Sequence, residues 1–169
     1  MPRPGLTNPN PVSPFGLWCD AREFLAAATE IYPLPATARE IADLKYSGVA
    51  YYLLGHSIEL SLKAFLLCRG ISMETLRRDP YGHSLIALRK ESSRRKLGTE
   101  VVLTRPQKAV IDYFSDSYAS KRDEYFERAM LSVPRYAVLH VITTTLVDGL
   151  RTICRSETST GPEQGRSRQ

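Results

Sequence analysis

Four polar residues interrupt an apolar stretch of this chain: Tyr52, His56, Glu59 and Lys63. Their spacing of four, three and four places them on one stripe of a helix, and Glu59 followed by Lys63 is the favourable i,i+4 ion-pair orientation. Leu53, Leu54, Ile58, Leu60, Leu62, Leu66 and Leu67 surround them. Part of the stripe is therefore expected to be buried, and buried charges require partners. His83, in YGHSL, is a candidate to complete the set. Histidine, carboxylate and ammonium groups together can perform acid–base chemistry. They serve more often as a polar network that fixes helix packing. We therefore read Tyr52, His56, Glu59, Lys63 and His83 as such a network.

A second cluster is basic. Ten arginines and lysines lie between Arg69 and Lys108 against four acidic residues, so the segment carries +6 of a total net charge of +5 and the remainder sums to −1. Its densest part is RKESSRRK, residues 89–96. Arg89, Lys90, Arg94, Arg95 and Lys96 are the candidate contacts to RNA or another polyanion. Cations near a helix end are also favoured by the macrodipole without a partner. No RNP signature, GXXG loop or aromatic residue accompanies the cluster.

The elements that must position these groups are helical. Apolar residues recur at three and four between the prolines, and no strand-period segment of length appears. Phe15 to Tyr32 reads as a first helix, with Leu17, Trp18, Ala21, Phe24, Leu25 and Ala28 on one side, stopped by Pro33 and Pro35. A second runs from Ala38 to Arg69, with Thr37 and Glu40 as its capping box and Gly70 as its stop. Gly48 and Gly55 share one face of it. Glycine is unfavourable inside a helix, so close approach of another helix is expected there. A short turn or helix follows at Ser72–Arg78. A third long helix opens at His83 or Ser84 and reaches about Lys96, and 97–103 is a loop or short extended piece. Thr104 and Pro106 look like Ncap and N2 of a helix ending near Ser120. Residues 121–133 form a charged connection, preceded by and overlapping SKRDEYFERA at 120–129. A last helix begins near Pro134 and ends near Cys154. Its Thr143–Thr145 run is a poor helix former, so packing must hold it.

With 169 residues, 43% apolar and 24% charged, the chain suits one soluble domain. The fold class is all-α: an antiparallel bundle of about five helices built on the long second helix. Residues 1–14 hold five of the eleven prolines and read as a disordered arm, 15–155 as the folded domain, and 156–169 as a disordered tail. The start carries no apolar signal region, and Val49–Leu67 is broken by charges. A cytoplasmic protein without a membrane span is expected. Cys19, Cys68 and Cys154 form no CxxC pair, so reduced thiols, no metal and no cofactor are expected.

HSIELSLKAFLLCRG at 56–70, followed by GHSLIALRKE at 82–91, resembles the HEPN superfamily (higher eukaryotes and prokaryotes nucleotide-binding domain), in the bacterial subgroup with H-x-x-E-x-x-x-K-A and a later G-H-x-L helix start. The match covers about 40–120 in pattern. The resemblance implies a helical bundle that often dimerises and binds RNA, a nucleotide or a protein partner, in toxin–antitoxin or phage-defence settings. Active HEPN ribonucleases carry R-x(4–6)-H near the start of the last helix and cleave RNA without metal at a dimer cleft. Arg135-Tyr-Ala-Val-Leu-His140 has that spacing. The spacing alone arises by chance about 0.9 times in a chain of this composition, and Arg77 and Arg78 also precede His83 at allowed offsets. In a regular helix, residues five apart point about 140° away from one another. We therefore expect a non-catalytic binding module, with a metal-independent endoribonuclease using Arg135 and His140 as the alternative.

Overall fold

The structure, a computed structural model, describes residues 12–32, 47–119 and 133–156. These form six α-helices and one 3₁₀ turn, with no strand among the described residues. The helices are α1 (Pro14–Ile31), α2 (Ser47–Cys68), α3 (Met73–Arg77), α4 (Leu85–Arg94), α5 (Arg105–Ala119) and α6 (Tyr136–Ser156). The all-helical bundle is as expected. The capping box at Thr37 and Glu40, the helical residues expected before Ser47, the connection around 121–132 and both tails lie outside the described residues.

Local chemistry sets most of the boundaries. The hydroxyl of Ser13 accepts from the Gly16 amide at 2.9 Å, and Pro14 occupies the first turn of α1. Proline is assigned to the arm by composition, yet it suits a first helical position because its missing N–H would be unbonded there anyway. Ser72 caps α3 and Ser84 caps α4. Thr104 caps α5 through a reciprocal box: its hydroxyl accepts from the Gln107 amide at 3.3 Å, and the Gln107 side chain accepts from the Thr104 amide at 2.8 Å. Helix α4 stops two residues earlier than expected, because Lys96 turns into the left-handed region. The expected loop at 97–103 contains the 3₁₀ turn Leu97–Thr99.

Long-range hydrogen bonds define the packing. Trp18 Nε1 donates to the Val147 carbonyl at 2.7 Å, and Tyr136 donates to the Ala28 carbonyl at 2.9 Å. Rising numbers on α1 meet falling numbers on α6, so these two run antiparallel. Tyr51 bonds the Pro134 carbonyl, and Cys68 Sγ lies 3.9 Å from Cys154 Sγ, so α2 and α6 run parallel. The bundle is thus not antiparallel throughout. The core is one cluster in which Leu54, Ile58, Leu62, Phe65, Leu88, Ile111, Phe114, Leu139 and Leu146 are fully buried.

Helix α6 is the one helix among the described residues that is long and apolar enough to cross a membrane by length and composition. Within the bundle, Leu139, Ile142, Leu146, Val147 and Leu150 form its buried stripe, packed toward α1 and α2. Thr143, Thr144 and Thr145 each donate to the carbonyl four residues back. Their hydroxyls are satisfied within the helix, which lets this run of poor helix formers persist.

Candidate functional site

The polar stripe of α2 converges on Glu59, which is 2% exposed. One carboxylate oxygen accepts from Lys63 Nζ at 2.6 Å. The other accepts from the Tyr118 hydroxyl at 2.6 Å and from His83 Nδ1 at 3.1 Å. A carboxylate can only accept, so His83 carries its proton on Nδ1. The Tyr118 proton points to Glu59, so His56 Nδ1, 3.0 Å from the same hydroxyl, is the donor in that second bond. Lys63, 5% exposed, also donates to the Gly82 carbonyl at 2.7 Å. Tyr52 stacks on His56 with ring planes 8° apart, and Phe24 meets His56 edge-on at 4.5 Å. The buried carboxylate therefore ties together α2, α5 and the loop before α4.

The electrostatics follow from that geometry. Burial pushes the Glu59 carboxyl up, but the hydrogen bonds from Lys63, Tyr118 and His83 together with the Lys63 charge outweigh it, and the net shift is downward. Glu59 is ionised at neutral pH. Burial lowers the pKa of His56 more than the nearby Glu59 raises it. His56 is therefore neutral where Lys63 already balances the carboxylate.

Tyr118 is the member that sequence reasoning missed. It reaches Glu59 from 59 positions away, on a helix whose own pattern does not single it out. One signal pointed toward it: a β-carbon on Gly55 would lie 2.4 Å from Tyr118 Cδ2 and 3.0 Å from Phe114 Cε1. The expected close approach at this glycine is made by α5, with the rings of Tyr118 and Phe114 pressed on the backbone of α2.

The basic cluster divides into two kinds of residue. Arg89, 11% exposed at its side chain, forks onto Asp112 of α5 at 2.5 and 2.7 Å. Arg95 donates to Glu91 and to the Arg69 carbonyl, each at 2.8 Å. Arg94 lies 3.2 Å from Glu91 but stays 78% exposed, and that carboxylate is already held by Arg95. Lys90 and Lys96 are exposed and have no carboxylate partner among the described residues. The five basic residues therefore do not form the single face expected. Arg89 turns inward onto α5, because α4 directs 89, 91 and 92 toward its neighbours and 90 and 94 outward, while Arg95, just past the helix end and 38% exposed at its side chain, bends back onto Glu91 and the Arg69 carbonyl.

Arg135 and His140 are held apart in role. Arg135 is exposed ahead of α6, where its carbonyl accepts the first helical amides from Val138 and Leu139. His140 Nε2 lies 2.9 Å from the Thr29 hydroxyl, which itself donates to the Leu25 carbonyl, so His140 is the donor. Burial lowers its pKa. No hydrogen bond joins the Arg135 and His140 side chains among the described residues.

Among the described residues no group of histidine, cysteine or acidic side chains is placed to hold a metal ion. No family model, no curated protein and no solved structure matches the chain.

Proposed function

We propose that the chain is an HEPN-like helical module that binds RNA, or a comparable polyanion, without cleaving it. The contact is the outward side of α4, where Lys90 and Arg94 stand in register, continued at Lys96. The observation that carries this reading is the division among the basic residues: Lys90 and Lys96 are exposed without a carboxylate partner among the described residues and Arg94 is 78% exposed beside Glu91, while Arg89 is 11% exposed on Asp112 and Arg95 is tied to both Glu91 and the Arg69 carbonyl. An exposed cation releases counterions when it meets a phosphate. A cation locked onto a carboxylate within the bundle must first break that pair.

The endoribonuclease alternative needs Arg135 and His140 to meet at one phosphate. The donation of His140 to Thr29 favours binding over catalysis. The reading includes a homodimer, for which Val138 and Val141 offer exposed apolar surface on α6.

The test is RNA binding followed across salt concentration, with cleavage monitored in EDTA. Lys90→Ala/Arg94→Ala is expected to lower the salt slope by about two, roughly one for each phosphate that is no longer neutralised. An unchanged slope contradicts the binding face. Cleavage by the wild type that disappears in His140→Ala establishes the alternative instead.

A further inference from the structure

Beyond the end of α4 lies a cavity of about 330 Å³. Leu97, Val101 and Leu103 line it with side chains that are themselves nearly fully buried, which gives it an apolar floor. Lys96, Lys108, Ser93 and Thr99 supply its polar lining, and no acidic side chain lines it among the described residues. Glu100, next in sequence to the lining residue Thr99, accepts from Arg69 at 2.8 Å and from the Thr99 hydroxyl at 3.1 Å, so its charge is answered there. Neither Lys96 nor Lys108 has a carboxylate partner among the described residues.

The backbone adds an independent observation. Lys96 closes α4 with its amide on the Ser93 carbonyl at 3.1 Å, at φ 64° and ψ 41°. Helices that end this way usually place glycine at the left-handed position, because any β-carbon is strained there. A long cationic side chain stands here instead, at the cavity. Backbone strain held at a lined cavity points to function.

We propose that this cavity binds a phosphomonoester: a phosphate dianion between Lys96 and Lys108, with the compact body that bears it resting on Leu97, Val101 and Leu103. Two ammonium groups match a dianion, whereas a carboxylate would leave one of them unanswered. The volume lies at the lower end for small-molecule sites, so it accommodates one compact unit rather than a strand passing through. The ligand is either a free mononucleotide-like phosphate or the phosphorylated end of an RNA chain. The proposal deepens the polyanion reading and rests on it for the sign of the ligand's charge.

The experiment compares adenosine 5′-monophosphate with adenosine by calorimetry, and 5′-phosphorylated with 5′-hydroxyl RNA of one sequence by fluorescence anisotropy. Wild type, Lys96→Gly and Lys108→Ala are run together. Lys96→Gly relieves a strained backbone position, so a folded protein is expected and thermal melting checks it. The phosphorylated ligand of each pair is expected to bind at least about tenfold tighter, a difference of roughly 1.4 kcal/mol, and both variants are expected to abolish the preference. RNA bound equally with either end overturns the cavity and leaves the outward face of α4 standing. Lysine-dependent binding of the monophosphate without RNA binding supports the cavity and overturns the RNA reading. Absence of binding in every arm overturns both.

Discussion

The two ends of α4 treat polar groups in opposite ways. At its N-terminal end, His83 leans on a buried carboxylate whose oxygens are already shared among Lys63 and Tyr118. At its C-terminal end, Lys96 is held in a strained backbone conformation beside an apolar-floored cavity that no carboxylate lines among the described residues. Both ends lie on one short helix, separated by roughly 15 Å at 1.5 Å per residue. The first has the character of structure, because removing Glu59 leaves the buried Lys63 ammonium without its carboxylate, and removing Lys63 leaves the buried Glu59 charge unbalanced. The second has the character of a binding surface, because Lys96 and Lys108 meet no balancing carboxylate among the described residues.

The largest effect that can break this comparison is Glu59→Ala. It leaves the buried Lys63 ammonium without its carboxylate, and removal of one partner of a buried pair costs about 3–5 kcal/mol. Urea unfolding measures it, and a destabilisation below about 1 kcal/mol, the scale of an exposed pair, would show that the cluster does not hold the fold. Replacing both charges, as in Glu59→Leu/Lys63→Met, is expected to recover much of that stability.

Acid takes the same cluster apart more gradually. The folded-state pKa of His56 lies below its ordinary 6.5, so the unfolded chain binds that proton first. The stability tied to a neutral His56 is complete above that value and is lost as pH falls through the folded pKa. Glu59 behaves likewise from its ordinary 4.5 downward, since its folded pKa is also depressed. Melting temperature is thus expected to fall in two stages below neutrality. Stability that rises on acidification would contradict the assigned protonation states.

Gly55→Ala tests how closely α5 approaches. Its new β-carbon overlaps the Tyr118 ring, and overpacking of this kind costs about 1–3 kcal/mol. Smaller again is Arg89→Ala, expected to cost roughly 1–2 kcal/mol by removing charged hydrogen bonds to Asp112, with RNA affinity unchanged. Lys90→Ala is expected to shift stability by no more than about 0.5 kcal/mol while weakening RNA binding. The opposite assignment of these last two effects would erase the distinction between inward and outward cations.

The sequence makes parts of this arrangement legible and hides others for identifiable reasons. His56, Glu59 and Lys63 are readable because helical periodicity brings residues three and four apart together without knowledge of the tertiary fold. His83 is suggested because a buried charge demands partners. Tyr118 is not, since its role depends on how α5 crosses α2. The pairing of Arg89 with Asp112 is hidden for the same reason: composition counts charges, and only packing decides which of them cancel. Lys96 offers no sign of its backbone conformation, because glycine rather than lysine is the expected residue there. Pro14 misleads in the other direction, since proline marks an extended arm by composition but a helix start by its chemistry. The spacing of Arg135 and His140 matches a motif, yet it carries no information about Thr29, which binds His140 from α1.

The most direct test sets the inward cations of α4 against the outward ones in one assay. The salt dependence of RNA binding would be measured for wild type, Arg89→Ala/Arg95→Ala and Lys90→Ala/Arg94→Ala. The slope is expected to fall by about two in the second variant and to stay near the wild-type value in the first. An equal fall in both variants, or a fall confined to the Arg89 and Arg95 variant, would contradict the claim that the outward cations Lys90 and Arg94, rather than Arg89 on Asp112 and Arg95 on Glu91 and the Arg69 carbonyl, are the ones that bind.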